Sequence, residues 1–78
     1  MNLQNVINEY NQKVEEFCQT VGEIKSYKQT AAVVLFMEGL AEEYIKKHNG
    51  LTKKALFEYS KSNLNQKVVK EINFRNQQ

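Results

Sequence analysis

From Leu3 to Ile24 the apolar residues fall at Leu3, Ile7, Tyr10, Val14, Phe17, Val21 and Ile24, steps of four and three without a miss. Side chains at that spacing line one narrow stripe of an α-helix, a heptad-like seam suited to lie against another helix. The seam covers about three heptads, about 32 Å of helix. It packs either inside its own bundle or against a second copy of the chain. Tyr10 and Phe17 are bulky for a two-stranded parallel zipper, so a four-helix arrangement or an intermolecular sandwich suits them better.

Ser26-Tyr27-Lys28-Gln29 has the form of a capping box and predicts a second helix from about Tyr27 to His48. Asn49-Gly50 tolerates the left-handed conformation that ends a helix. The first half of this helix, Ala31 to Met37, is apolar almost all round, and the second half is one-sided through Leu40, Ala41, Tyr44 and Ile45. A helix apolar on every side is expected to be surrounded on every side. Gly39 gives up about 0.8–1.0 kcal/mol of helix propensity against Ala, which suits a place where another helix crosses closely. A buried strand over 31–37 is the competing reading, and the helical pattern that continues past Gly39 opposes it. Glu42–Lys46 and Glu43–Lys47 have the favourable i,i+4 order, about 0.2–0.5 kcal/mol each.

Thr52 reads as an N-cap, with Leu51 before it and Leu56 inside it as a hydrophobic staple, and predicts a third helix over roughly Lys53 to Lys61. At about 100° per residue, Ala55, Leu56 and Tyr59 face one way while Leu64, Val68, Val69 and Ile72 face nearly the other. A break near Ser60-Lys61-Ser62-Asn63 resolves the conflict, with Ser62 or Asn63 capping a short fourth helix. Unbroken, the segment is one long helix with two apolar sides. The expectation is therefore an all-α fold: a compact bundle of three long or medium helices plus a short C-terminal helix, one domain over residues 1–78. Asn2, Asn5, Asn8 and Asn11 read as a solvated face of the first helix.

A chain of 78 residues buries only about 60% of its unfolded surface, and folds this small usually need reinforcement. The single cysteine, Cys18, cannot close an internal disulfide, and with His48 as the one histidine no structural zinc site forms. Association with another chain remains. There is no basic segment followed by an apolar one at the start, and the longest apolar run, Ala31–Met37, is far short of the roughly 18 residues that suggest a span. A complete, soluble, cytoplasmic protein with no membrane contact is expected. Aspartate and proline are absent, and the Asn- and Lys-rich usage suits a low-GC bacterium, its phage or another mobile element.

Charge divides the chain. Residues 1–45 carry three lysines and seven glutamates, a balance of −4; residues 46–78 carry seven lysines and Arg75 against Glu58 and Glu71, a balance of +6. The basic half offers Lys53, Lys54, Lys61, Lys67, Lys70 and Arg75 to phosphate. A helix-turn-helix built from the third and fourth helices matches poorly, because the turn lacks glycine and the reading helix has one arginine at its far end. Attraction between acidic and basic halves of neighbouring subunits explains the same asymmetry.

Catalytic constellations are lacking. Glu15-Glu16 and Glu42-Glu43 are adjacent on helices and point about 100° apart, Ser26, Ser60 and Ser62 lie in cap-like contexts, and Gly22, Gly39 and Gly50 are isolated. Cys18 reads as a small apolar filler. His48 sits beside the negative end of a helix dipole. No enzyme, metal or cofactor is expected. The expected role is a non-enzymatic protein that binds another macromolecule, an inhibitor or adaptor with a protein partner, self-associating as a homodimer. Tyr10, Phe17, Tyr44 and Tyr59 are its interface candidates, since aromatic residues are enriched in interface cores. The alternative is a small DNA-binding regulator that uses residues 46–78, with the first helix as dimerisation element.

Overall fold

The computed structural model describes residues 2–76 and folds them into α1 (Leu3–Val21), α2 (Tyr27–Lys47), α3 (Lys53–Asn63) and α4 (Gln66–Asn76), with no strand among them. The all-α bundle with a short C-terminal helix is the fold read from the sequence, and residues 31–37 are helical. Local chemistry sets most of the boundaries. Asn2 accepts a hydrogen bond from the Gln4 amide at 2.9 Å and starts α1. The Ser26–Gln29 box closes as expected: the Gln29 amide donates to Ser26 Oγ, while Gln29 Oε1 accepts from the Ser26 and Lys25 amides. Thr52 Oγ1 accepts from the Ala55 amide and opens α3.

Three ends differ from expectation. α1 stops at Val21 because Gly22 adopts φ +80°, a left-handed conformation that glycine adopts freely, and its amide donates to Cys18 O. Ile24 therefore lies outside the helix, though the loop still folds it into the core. α2 ends at Lys47, one residue early, with His48 as its cap. α3 runs on to Asn63 and the chain breaks at Leu64-Asn65, where Asn65 Oδ1, and not Ser62 or Asn63, accepts from the Lys67 amide at the start of α4. Among the described residues, neither Glu42–Lys46 nor Glu43–Lys47 closes into an ion pair.

α1 and α2 run antiparallel, as the pairs Glu9–Tyr44, Tyr10–Met37 and Phe17–Phe36 require. α3 returns beside α1, with Ser60 against Asn11 and Tyr59 against Glu15. α4 docks on α2 and barely touches α3, so the two short helices do not pack on each other as a helix-turn-helix pair. Its Val68 and Ile72 complete the core begun by Val33, Val34, Met37 and Ala41 of α2 and by Leu56 and Phe57 of α3. Arg75 fastens the end of α4, bonding Glu71 at 3.1 Å and reaching Glu38 of α2 at 3.6 Å.

The α1 seam faces inward, but the buried sector is broader than the seam. Two helices cover α1, so Val6 and Asn11 are buried beside Tyr10 and Val14, while Ile7, Phe17, Cys18 and Val21 are half-buried and Leu3 lies at the edge. Asn11 is thus not part of a solvated face. Its Oδ1 accepts from Ser60 Oγ at 2.9 Å and its Nδ2 donates to Ile7 O, which satisfies a polar pair sealed between α1 and α3. Ser60 is accordingly a mid-helix partner and not a cap.

Candidate functional site

Tyr10 has no exposed surface and Tyr44 almost none. The Tyr10 hydroxyl donates to Met37 O at 2.9 Å, and its ring meets Tyr44 edge-on at 5.8 Å and Phe57 at 6.3 Å. Tyr44 donates to Glu9 at 2.9 Å beneath the Lys13 ammonium, 5.3 Å from its ring centre. That hydroxyl holds the Glu9 carboxyl below its ordinary range. Phe17 stacks on Phe36 with ring centres 4.2 Å apart. These three interface candidates are therefore used by the chain's own packing: each faces the neighbouring helix that antiparallel pairing brings over it. Tyr59 alone of the four is well exposed, and its hydroxyl is tied to Glu15 at 2.9 Å across the groove between α1 and α3.

The larger aromatic exposure lies elsewhere. Tyr27, the first residue of α2, is 69% exposed, and Phe74 of α4 is 58% exposed. They wall a shallow recess of about 550 Å³ whose accessible surface is chiefly apolar, with Thr30 and Glu71 behind and Lys67 and Lys70 beside it. On the recess wall, Tyr27 is the first helical residue after the Ser26 cap. Phe74 is held there because Val68 and Ile72, one helical face of α4, are buried against α2, which turns Phe74 to the rim. Neither residue was singled out in the sequence. A lone aromatic inside the polar tail Asn73-Phe74-Arg75-Asn76 was the available signal.

The cationic residues of the C-terminal half do not form one surface. Lys53 and Lys54 open α3 just after Gly50, which sits against Leu3. Lys67 and Lys70 stand at Tyr27, the opposite end of the antiparallel α1–α2 pair. That pair is about 28 Å long. Lys61 is half-buried, and Arg75 is engaged by Glu71 and Glu38. Lys67 and Lys70 are the two that lie beside exposed aromatic surface.

Burial, with Glu15 nearby, pushes the Cys18 thiol up, the opposite direction from the lowered values of reactive cysteines. Among the described residues no three His, Cys, Asp or Glu side chains gather as a metal site, and no helix is long and apolar enough to cross a membrane. No protein-family model, curated protein or solved structure matches the chain.

Proposed function

We propose that this protein is a non-enzymatic binding module, of the inhibitor or adaptor type, that holds a protein partner and also pairs with itself. The observation that carries this reading is that exposed Tyr27 and Phe74, from two different helices, line one chiefly apolar recess together with Lys67 and Lys70. Exposed aromatic surface bounded by charge is the anatomy of an interface core and its rim. Tyr27 and Phe74 are the most exposed aromatic side chains among the described residues, and leaving them in water is a cost that a partner removes. The lysines favour an acidic, amphipathic partner segment.

The same lysines speak less strongly for nucleic acid, since the basic residues are divided between two ends of the bundle and Arg75 is neutralised by two glutamates. Affinity capture from extract of the source cell tests the reading. A protein held by the wild-type chain and lost with Tyr27→Ser/Phe74→Ser, a variant expected to stay folded, supports it. A partner held equally by that variant contradicts it. Tight duplex-DNA binding that falls steeply with salt and disappears in Lys67→Glu/Lys70→Glu supports the regulator reading instead.

A further inference from the structure

The outer face of α2 is unpartnered. Leu35 is 58% exposed at its middle. Lys28 and Glu42, seven residues to either side, are also exposed, and neither forms an ion pair among the described residues. Residues seven apart drift by only about 20° around a helix, so Lys28, Leu35 and Glu42 form one line: a cation, an apolar centre and an anion. Ala32 and Gly39 lie together along one side of the line, both exposed, and a Cβ built on Gly39 meets nothing within 4 Å. Gly39 therefore weakens its helix without admitting any neighbour from within the chain.

We infer that this face pairs with the same face of a second copy, α2 against α2 in antiparallel sense about a two-fold axis through Leu35. Charge order selects the occupant and its direction. With the axis at Leu35, Lys28 of each chain lies opposite Glu42 of the other, and Gly39 of each chain lies beside Ala32 of the other. A two-fold interface repeats every such contact, so one complementary pair becomes two. Parallel pairing sets Lys28 against Lys28 and Glu42 against Glu42 and is repelled. The small side chains let the helices approach until the two Leu35 side chains meet. The pairing leaves the two Tyr27–Phe74 recesses toward opposite ends of the dimer. This inference rests on the self-association part of the proposed function and names its surface.

Sedimentation equilibrium of the full chain, from about 10 µM to about 1 mM, tests it. The wild type moves from 9.1 kDa toward twice that mass with rising concentration. Leu35→Glu stays monomeric, with the melting temperature that the wild type shows at dilutions where it too is monomeric. Lys28→Glu and Glu42→Lys alone each weaken pairing about tenfold, and the two together restore it to within about threefold. A wild-type monomer throughout overturns both the interface and self-association. A dimer indifferent to Leu35→Glu, or a charge exchange that fails to restore pairing, overturns the interface while self-association stands.

Discussion

Phe57 and Phe74 carry the same side chain in opposite circumstances, and truncating each tests which aromatics the fold uses for itself. Phe57 is 1% exposed and packs against Tyr10 in the core. Phe57→Ala removes that burial and leaves a cavity, a loss of about 3–5 kcal/mol. Phe74 is 58% exposed, so only a little over two fifths of its surface leaves water on folding. Scaling the roughly 1.5–3 kcal/mol for a fully buried side chain gives a loss of about 1 kcal/mol, with no cavity because the side is open. A domain of this size has a total stability of about 4–12 kcal/mol and loses about 4–8 °C of melting temperature per kcal/mol. Thermal melts followed by far-UV circular dichroism should therefore place Phe74→Ala within about 8 °C of wild type, while Phe57→Ala falls much further or fails to fold. Equal losses would mean that Phe74 is a core residue and that the recess is part of the hydrophobic interior.

Ser60→Ala leaves the buried Asn11 oxygen without its donor, so a fall of about 1–3 kcal/mol in urea titration, with an unchanged m-value, is expected. Gly22→Ala and Gly39→Ala should move in opposite directions: Gly22 sits at φ +80° where a Cβ is strained, whereas Gly39 is helical and open, and replacing it gains up to about 0.8–1.0 kcal/mol. Equal signs in their thermal melts would contradict the helix ends described above. Burial raises the Tyr10 phenol, burial likewise raises Tyr44, and the Glu15 carboxylate raises Tyr59. A phenol raised in the folded state favours folding only while it is protonated in both states' range, so its stabilisation is full below about pH 10, the unfolded value, and is lost as pH climbs toward the folded one. Chemical denaturation across alkaline pH should show that loss, smaller in Tyr10→Phe; an identical loss in that variant would show that Tyr10 is not the group responsible.

Much of the fold was legible because it rests on local chemistry. Ser26 with Gln29 and Thr52 with Ala55 act within one turn of chain, so their spacing carries the information, and Gly50 takes a positive φ just beyond α2. Depth was harder to read. Tyr10 and Tyr44 looked like contact residues by type, yet antiparallel pairing of α1 with α2 places each under the other helix. Asn11 and Ser60 looked like solvent and cap residues, and only the return of α3 beside α1 brings their side chains together inside. Tyr27 and Phe74 lie 47 positions apart, and nothing in the periodicity of either helix announces that α4 will dock on the beginning of α2. The surrounding expected for the apolar half of α2 is met on the α1 and α4 sides and left open at Leu35.

Site-specific photo-crosslinking in the source cell addresses the binding surface most directly. A photoreactive phenylalanine at position 74 or 27 should give one discrete adduct with a second, different protein, whereas the same group at Asn8 or Lys54, away from the recess, should give none. Adducts of equal strength from all four positions, or from Asn8 and Lys54 alone, would contradict the assignment of the Tyr27–Phe74 recess as the place where this protein is held.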